Sequence, residues 1–583
     1  MNLDTVTEDR IHSWTSGNFD ADTKAEISKL KSDNPKLLRD VFYTELAFGT
    51  GGLRGIMGVG TNRINIYTIR KASLGLANYI KKSSIANEAR VVIGFDSRNN
   101  SQLFAQETAR VLAAQGIEVF LFEELRPTPY ISFACRQLQC TAAVMITASH
   151  NPSEYNGYKV YWSDGAQIVP PHDQGIMNEV QSIKSYDDIP TVKIDNKLIH
   201  ILSTDLDQEY INAIHGLQQR PHENQKNGKQ LHITYSSLHG AGITLVPQSL
   251  KDWGFSNIFL VEQQCIPDGN FPTAKSPNPE YPQALALGIE TMKKNGNDIL
   301  FVTDPDADRL GVVVMHNGRA VTLNGNETAS ICTWYLCSSL KKKNMLRSND
   351  AVVTTIVSTE LIPTICKEYN IHCEEVLTGF KYIGEKIHLW ETNKSKLHFL
   401  FGAEESYGYL VGTHARDKDA VVSCCLLAEI ALYAKEQNKT LIDLLYDIYS
   451  EYGIFREIQY SIDFPPGKDG MDSMKEMMRN LRSKPLDEIN NSRVLIIEDY
   501  LTQERVDKVN QKKEKINLPV SDVILYKFDN NSKVVVRPSG TEPKLKIYAG
   551  VRLNVFCEAE HGIKQCDDKL QDLINAIKQK LSL

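Results

Sequence analysis

Short apolar runs alternate with longer amphipathic stretches over most of this chain. Runs such as Val91–Phe95, Ala142–Ile146 and Ile299–Thr303 contain strand-forming residues without polar interruption, which is typical of buried strands. Between the first two runs, the pattern predicts a helix that Ser101 caps and that extends through Gln115. This alternation of strand and helix patterns predicts α/β layers with parallel sheets.

The same pattern restarts several times, which predicts several domains. A chain of 583 residues is too long for one hydrophobic core. The pattern begins anew near residues 205 and 325, and it changes character near residue 451, where strands and a final amphipathic helix follow. We therefore predict domains at residues 1–205, 206–322, 323–450 and 451–583.

Composition and charge exclude several classes of function. The chain has 65 basic and 72 acidic residues, a net charge of −7, so it lacks the basic field of a nucleic-acid binder. The apolar stretch Ala420–Ala434 is too short to span a bilayer and predicts a buried helix instead. The N-terminus is polar, and the 11 cysteines include no C-x-x-C pair. We expect a cytoplasmic protein with reduced thiols and no membrane or nucleic-acid partner.

A serine follows the predicted strand Ala142–Ile146, in the segment Thr147–Pro152. Ligands of α/β sheets bind outside such strand ends, so Ser149 is a candidate nucleophile. An ordinary strand-to-turn serine is the alternative. Because neighbouring residues of an extended stretch point to opposite faces, we expect His150 to be poorly placed to deprotonate Ser149.

Three carboxylates, Asp304, Asp306 and Asp308, follow the predicted strand Ile299–Thr303. Two unit charges about 4 Å apart repel by about 4 kcal/mol at an effective dielectric near 20, so a cation is needed to gather them. Oxygen ligands favour Mg²⁺. Alternate residues of a flat strand lie about 6.6 Å apart, so the segment must curl, which Pro305 permits. A solvated acidic turn is the alternative.

A third loop carries groups that suit a sugar phosphate. Glu404 and Ser406, at positions i and i+2, can bind two sugar hydroxyls, although a helix-capping pattern explains them equally well. Lys381, beside Thr378, and Lys418 flank this loop as candidate phosphate ligands, and solvated charges are the alternative.

A fourth loop, Arg537–Pro543, lies between two predicted strands. Arg537 offers a planar fork for phosphate, and Ser539 and Thr541 offer hydroxyls. Gly540 allows backbone N–H groups to approach an anion. Lys546 points toward the same region if the following strand keeps its alternation.

Two more cations lie in suggestive segments. Arg54 lies in the glycine-dense stretch Phe48–Gly55, which lacks the Gly-Lys-Ser/Thr ending of a P-loop. Lys159 follows the serine loop closely and can transfer a proton or stabilise charge. A flexible connector and a surface lysine are the respective alternatives.

These segments, in this order, resemble the α-D-phosphohexomutase superfamily over residues 48–548. The opening Glu45–Gly55 resembles its phosphoglucomutase and phosphopentomutase branch. The resemblance implies three related mixed α/β domains and a C-terminal α+β domain around a central cleft.

The resemblance also implies a role for each candidate residue. Ser149 is expected to be a phosphoserine that binds one Mg²⁺ together with Asp304, Asp306 and Asp308. Arg54, Lys159 and Arg309 are expected around the transferred group, with His150 beside it. The expected substrate-binding residues are Thr378, Lys381, Glu404, Ser406, Lys418, Arg537, Ser539, Gly540, Thr541 and Lys546.

The implied activity interconverts glucose 1-phosphate and glucose 6-phosphate through the phosphoserine, with glucose 1,6-bisphosphate as intermediate and activator. Phosphopentomutase and phosphomannomutase activities are alternatives on the same scaffold. A phosphohydrolase that uses Asp304 as nucleophile and a non-catalytic sensor of sugar phosphates are further alternatives. We expect a monomer or a dimer.

Overall fold

The computed structural model describes residues 4–46, 52–83, 88–187, 189–392, 395–465, 468–539, 544–554 and 558–581. The chain forms two compact units. The first comprises Met1–Asn324 and Gly379–Glu436, and the second comprises Gly325–Thr378 and Gln437–Leu583.

The first unit begins with helices that have a small core of their own. Asp4, Asp20 and Asn34 cap them, because each side chain accepts a hydrogen bond from a backbone N–H of the first turn. Trp14 stacks on Phe19 with 4.5 Å between ring centroids. The helices are α1 (Thr5–Ser16), α2 (Ala21–Asp33) and α3 (Pro35–Phe42).

A mixed sheet follows, and the serine loop leaves one of its central strands. Its elements are β1 (Leu53–Ile56), α4 (Ile66–Lys82), β2 (Arg90–Phe95), α5 (Ser101–Ala114), β3 (Glu118–Phe122), α6 (Thr128–Gln137), β4 (Ala142–Ile146), β5 (Tyr155–Trp162), α7 (His172–Ser182) and β6 (Ile199–Leu202). The described strands lie in the order β1-β5-β4-β2-β3-β6. β2 is parallel to β3 and β4, whereas β5 is antiparallel to both neighbours. The predicted strand at β4 is confirmed and wholly buried.

One predicted cap is wrong. Ser101 is the first residue of α5, and Asn100, with φ of 63°, is the N-cap residue. The Ser101 hydroxyl donates to Asp96 Oδ1 at 2.8 Å instead, because that buried carboxylate is a stronger acceptor.

The second sheet of this unit presents the acidic loop. Its elements are α8 (Asp207–His215), α9 (Pro221–Asn227), β7 (Ile233–Ser236), α10 (Val246–Asp252), β8 (Ile258–Leu260), α11 (Pro282–Asn295), β9 (Ile299–Thr303), β10 (Leu310–His316) and β11 (Arg319–Leu323). β7 is parallel to β8 and β9, and β10 is antiparallel to β9 and β11. Thr303 pairs with Leu310, so the acidic loop connects the two strands of a hairpin.

The next stretch of chain contributes to both units. The second unit receives α12 (Gly325–Lys342), β12 (Asp350–Thr355), α13 (Leu361–Glu368) and β13 (His372–Val376). The first unit receives α14 (Phe380–Thr392), β14 (His398–Glu404), β15 (Gly408–Val411) and α15 (Ala420–Lys435). The Asp419 side chain caps α15 by accepting from two backbone N–H groups, and this helix is the buried one predicted from its apolar sequence.

The rest of the second unit is an antiparallel sheet with helices. Its elements are α16 (Leu441–Tyr452), β16 (Ile454–Asp463), α17 (Lys468–Ser483), β17 (Glu488–Ile489), β18 (Ser492–Asp499), β19 (Glu504–Asp507), β20 (Lys512–Lys515), β21 (Ile524–Phe528), β22 (Lys533–Pro538), β23 (Lys544–Leu553) and α18 (Ala559–Lys580). The main strand order is β16-β23-β22-β21-β18-β19-β20. The predicted apolar stripe of α18 is buried at Leu570, Leu573, Ile574 and Ile577. Within the described parts of the chain, none of the helices has the length and apolarity needed to cross a membrane.

Candidate active site

The serine loop makes a tight turn as soon as β4 ends. Ser149 has φ of 53°, a left-handed conformation that is uncommon for residues other than glycine. Its N–H donates to the Thr147 hydroxyl at 2.8 Å, and both residues are buried. Because such strain persists only where the surroundings enforce it, the turn is an indicator of function.

Arg98 and Asp96, two buried charged residues that were not predicted from the sequence, stabilise this turn by hydrogen bonds. The Arg98 guanidinium donates to the carbonyl oxygens of Ser149 at 2.6 Å and Pro152 at 2.8 Å, and also to that of Asn151. Asp96 accepts from the Thr147 hydroxyl at 2.6 Å, and its Oδ2 lies 3.3 Å from Arg98 Nε. The available signal was the position of Asp96, directly after the apolar run of β2.

The predicted separation of His150 from Ser149 is wrong. His150 Nδ1 lies 3.1 Å from Ser149 Oγ, because the left-handed Ser149 breaks the extended geometry on which the prediction rested. Burial lowers the pKa of His150 well below its usual value, and the charges of Arg309 and Arg54 add to this effect. The imidazole is therefore neutral near pH 7 and can share a proton with Oγ.

The acidic loop curls as predicted, and the serine lies at its edge. Ala307 has φ of 51°, which bends the loop so that carboxylate oxygens of Asp304, Asp306 and Asp308 lie within 4.8 Å of one another. Ser149 Oγ donates to Asp304 Oδ2 at 2.8 Å. The structure thus brings the candidate nucleophile and the three carboxylates into one buried cluster.

Backbone groups from distant segments bind this loop. The Ala241 N–H donates to the carbonyl of Pro305 at 2.7 Å, and the Thr128 N–H donates to that of Asp306 at 2.8 Å. The Ala420 N–H, at the start of α15, donates to the carbonyl of Ala307 at 3.2 Å. The loop is therefore fixed from three sides within the first unit.

The charges of the cluster are unequal. Burial raises the pKa of Asp304 well above its usual value, and the neighbouring Asp306 and Asp308 raise it further. Burial acts on Asp308 in the same direction, but Lys159 and Lys418 outweigh it and hold the pKa of that carboxyl below its usual range. Lys159 Nζ lies 2.7 Å from Asp306 Oδ2 and 3.1 Å from Asp308 Oδ2. Among the described residues, ammonium groups contact Asp306 and Asp308, whereas Asp304 has no such contact.

The donor set of the cluster fits a hard divalent cation. The Oδ1 atoms of Asp306 and Asp308 are buried and have no hydrogen-bond partner among the residues that the structure describes. Buried carboxylate oxygens without partners are costly unless a cation binds them. The Asp304, Asp306 and Asp308 carboxylates could therefore hold a metal ion.

Lys418 and Glu404, two predicted substrate ligands, lie beside the cluster. Lys418 Nζ lies 3.1 Å from Asp308 Oδ2 and 2.9 Å from Asp417 Oδ1. Glu404 ends β14 and accepts from the Gly379 N–H at 2.8 Å. Burial raises the pKa of Glu404, although Lys418 opposes this effect. Ser406 is half-buried in the turn that follows.

The two arginines predicted around the transferred group contact different loops of the site. Arg54 donates to Asn151 Oδ1 at 3.0 Å. The Arg309 N–H donates to Asp304 Oδ1 at 3.0 Å, and its guanidinium is paired with Glu280. Glu280 was not singled out in the sequence, because it lies in a Pro- and Asn-rich stretch that predicts only a surface loop.

The remaining predicted residues belong to α14 or to the second unit. Lys381 Nζ is 4.0 Å from Asp173 Oδ2, and burial lowers its pKa. Thr378 belongs to the second unit, and its buried hydroxyl lacks a hydrogen-bond partner among the described residues. Arg537, Ser539 and Lys546 also belong to the second unit.

The fourth loop is described only at its two ends. Arg537 pairs with Lys546 across β22 and β23, and the Ser539 N–H donates to the Lys544 carbonyl at 2.7 Å. Gly540 and Thr541 lie outside the described residues, as do residues 48–51 of the glycine-dense stretch.

Comparison with known proteins identifies the family. Phosphoglucomutase/phosphomannomutase domain models match in sequence order: alpha/beta/alpha domain I at residues 45–187, domain II at 208–318, domain III at 324–452 and the C-terminal domain at 499–554. A phosphoglucomutase of Staphylococcus haemolyticus is 36% identical over 90% of this chain and 93% of its own. The chain belongs to the α-D-phosphohexomutase superfamily. A phosphoglucomutase of Staphylococcus aureus is likewise 36% identical, over 89% of this chain and 92% of its own.

Solved structures show that the fold is that of a phosphohexomutase. Parafusin, a phosphoglucomutase from Paramecium, matches with a TM-score of 0.64 at 17% identity and covers 92% of this chain and 95% of its own. A phosphoglucomutase/phosphomannomutase family protein from Burkholderia thailandensis matches with the same TM-score, 0.64, at 17% identity over 92% of this chain and 97% of its own. The predicted fold class is confirmed: three α/β/α domains and a C-terminal domain. The boundaries at residues 205, 322 and 450 stay predictions.

Proposed function

We propose that this phosphohexomutase is a phosphoglucomutase, which interconverts glucose 1-phosphate and glucose 6-phosphate through a phosphoserine at Ser149. The observation that carries the proposal is the 2.8 Å hydrogen bond from Ser149 Oγ to Asp304 within a buried carboxylate cluster. The phosphoglucomutases at 36% identity over about nine-tenths of the chain support the choice of glucose phosphates.

In the forward direction, the phosphoryl group leaves Ser149 as the bond from phosphorus to Oγ breaks. A sugar hydroxyl attacks in line, its oxygen forms the new bond to phosphorus, and glucose 1,6-bisphosphate results. The sugar hydroxyl loses its proton as it attacks, and Oγ takes up one proton as it leaves, so the transfer balances. The neutral His150 imidazole, whose Nδ1 lies 3.1 Å from Oγ, can accept the released proton and pass it to Oγ. Return of the other phosphoryl group to Ser149 reverses these proton movements and releases the isomeric monophosphate.

The cations of the first unit neutralise the transferred group. Lys159 and Lys418 pair with carboxylates of the acidic loop. Arg54 binds Asn151 of the serine loop, and Arg309 belongs to the end of the acidic loop. Asp304, Asp306, Asp308 and the phosphoryl oxygens of Ser149 would hold one Mg²⁺, which supplies further charge stabilisation when bound. By the family resemblance, Arg537, Ser539, Gly540, Thr541 and Lys546 bind the phosphate that does not react, while Thr378, Lys381, Glu404 and Ser406 contact the rest of the substrate.

Covalent labelling tests the proposal. The enzyme is incubated with glucose 1,6-bisphosphate that carries ³²P, digested, and mapped by mass spectrometry. We expect label on Ser149, with label and isomerase activity both absent in Ser149→Ala and both retained in Ser163→Ala, an exposed serine after β5. Label on Asp304 together with release of inorganic phosphate would instead identify a phosphohydrolase. Binding of glucose 1-phosphate without turnover, even with Mg²⁺ and bisphosphate, would identify a sensor.

Initial rates on four sugar 1-phosphates test the substrate. We expect glucose 1-phosphate to give the largest kcat/KM, ahead of ribose, mannose and N-acetylglucosamine 1-phosphates. A larger value for ribose or mannose would make the chain a phosphopentomutase or a phosphomannomutase. A cytoplasmic location and a monomeric or dimeric state stay predictions.

A further inference from the structure

Strand β5 presents a second buried polar side chain two residues beyond Lys159. Residues at i and i+2 of a strand lie on one face, so Tyr161 shares the face of Lys159. Tyr161 has no solvent exposure, and its hydroxyl donates to Asp417 Oδ2 at 2.8 Å. A tyrosine hydroxyl in such a place needs a partner, and this one binds a carboxylate in the loop that precedes α15.

Asp417 connects this hydroxyl to the acidic cluster. Its Oδ1 accepts from Lys418 Nζ at 2.9 Å and from the Lys418 N–H at 2.8 Å. Lys418 Nζ lies 3.1 Å from Asp308 Oδ2. A continuous chain of contacts therefore runs from Tyr161 through Asp417 and Lys418 to Asp308.

Lys418 needs such a restraint. A lysine side chain has four rotatable bonds, so fixing its ammonium group costs conformational entropy. Asp417 can fix the ammonium only if its own carboxylate does not rotate. With Oδ1 bound to Lys418 and Oδ2 bound to Tyr161, each oxygen of that carboxylate has a partner.

We infer that Tyr161 is a positioning residue that, through Asp417, fixes the Lys418 ammonium beside Asp308. The inference rests on the proposed function, in which Lys418 neutralises charge at the reacting phosphoryl group. The Tyr161 hydroxyl bonds to Asp417 and acts on Lys418 through that carboxylate. β5 thereby sets the positions of both ammonium groups, that of Lys159 directly and that of Lys418 indirectly.

Tyr161→Phe tests the inference, and the chain offers a matched control. Tyr210 is equally buried, and its hydroxyl donates to Asp419 Oδ2 at 2.6 Å, in the same loop. Asp419 keeps its bonds from the Val421 and Val422 N–H groups when that hydroxyl is removed. Tyr210→Phe therefore removes the same kind of hydrogen bond without touching Lys418.

We expect Tyr161→Phe to lower kcat/KM by about 10- to 100-fold, the usual effect of removing a partner that orients a site residue. Tyr210→Phe is expected to change kcat/KM less than about twofold, while it shifts the unfolding midpoint about as much as Tyr161→Phe does. Asp417→Asn should show the larger loss, and the double variant Tyr161→Phe/Asp417→Asn should lose little more, because both act through Lys418.

Amine labelling supplies a readout that does not need activity. Reductive methylation with mass-spectrometric quantification should modify Lys418 several times faster in Tyr161→Phe than in the parent or in Tyr210→Phe. Equal labelling and equal kcat/KM in the two tyrosine variants would overturn the inference. If the parent enzyme proves inactive on sugar phosphates, the proposed function fails, whereas the labelling still decides whether Tyr161 fixes Lys418.

Discussion

Ser149 owes its position to residues outside the proposed phosphoryl-transfer machinery. Arg98 donates to the carbonyl groups of Ser149, Asn151 and Pro152, and Asp96 binds both Arg98 and Thr147. Both charges are buried, so each needs the other. The proposed nucleophile is therefore oriented by an ion pair that binds the backbone of its loop, directly through Arg98 and indirectly through the Thr147 hydroxyl.

Arg98→Lys tests this arrangement. Lysine keeps the charge opposite Asp96 but lacks the planar fork, so several carbonyl bonds are lost and stability falls by about 1–3 kcal/mol. We expect phosphorylation of Ser149 by the bisphosphate to slow by about tenfold or more, because a misplaced nucleophile loses near-attack geometry. Rapid-quench labelling measures the rate, and urea unfolding measures the stability.

The control for that experiment is Arg90→Lys. Arg90 pairs with Glu118 at 3.1 Å, and both side chains are more than one-third exposed. Such pairs contribute about 0–1 kcal/mol, so neither rate nor stability should change appreciably. Equal effects of the two substitutions would show that the Arg98 fork does not orient the serine.

At the scale of elements, the loop after β7 supports the acidic loop by close packing. A Cβ on Gly240 would lie 2.2 Å from Pro305 Cα and 2.4 Å from the Pro305 carbonyl oxygen. The backbone at Gly240, with φ of −103° and ψ of −170°, suits any residue. Glycine is thus required at position 240 because a Cβ would clash with the neighbouring loop, and not because of the backbone conformation.

Gly240→Ala should therefore move the acidic loop. We expect Mg²⁺ affinity, measured by calorimetry, and kcat/KM each to fall by about tenfold or more, because carboxylates that bind one ion tolerate little displacement. Gly216→Ala is the control, because its Cβ would meet nothing closer than 4.0 Å. Unchanged Mg²⁺ affinity in Gly240→Ala would argue against this support.

In the second unit, Glu457 of β16 couples stability to pH. Asn326 Nδ2 donates to Glu457 Oε2 at 3.2 Å. Burial raises the pKa of Glu457 to about 7, from an ordinary value of 4.5, despite Lys533 and Arg456. Between these two values the folded chain binds the proton and the unfolded chain does not, so stability is lost as pH rises from about 4.5 to 7.

This coupling predicts the behaviour of Glu457→Gln. We expect the free energy of unfolding of the parent to fall by up to about 3 kcal/mol between pH 4.5 and 7. The free energy of unfolding of the glutamine variant should not show this fall. Urea unfolding at half-unit pH intervals gives both curves. A parent and a variant with parallel curves would contradict the raised pKa.

Elements proved more predictable than contacts. β4 and β9 coincide with the predicted runs, since uninterrupted apolar residues specify buried strands locally. Arg98, Glu280 and Tyr161 were not singled out, because their partners lie between 29 and 256 residues away. His150 was misplaced because one left-handed residue, Ser149, reverses the alternation of a strand, and no sequence pattern requires that conformation.

At the scale of the molecule, the carboxylate cluster predicts that a divalent cation stabilises the fold. A ligand present at about 100 times its Kd adds about 2.7 kcal/mol when only the folded state binds it. We expect Mg²⁺ to raise the unfolding midpoint and chelation to reverse the shift. Differential scanning calorimetry with and without Mg²⁺ measures the effect.

Asp308→Asn should remove most of the Mg²⁺-dependent rise of the unfolding midpoint, because it replaces one of three charged ligands. Asp252→Asn, at a surface pair with His215, should keep the shift in full. A shift that persists in Asp308→Asn would mean that the ion binds elsewhere.

The acidic loop receives backbone hydrogen bonds from Ala241, Thr128 and Ala420. On the ribosome, a growing chain acquires Ser149 and all three carboxylates long before it acquires residue 420. Before residue 420 is added, the acidic loop lacks the hydrogen bond from the Ala420 N–H. Glu404 and Lys418 are also added late, only shortly before residue 420. The complete site consequently forms late in translation. A chain that stops before residue 404 carries Ser149 and the three carboxylates but lacks the residues that complete the site.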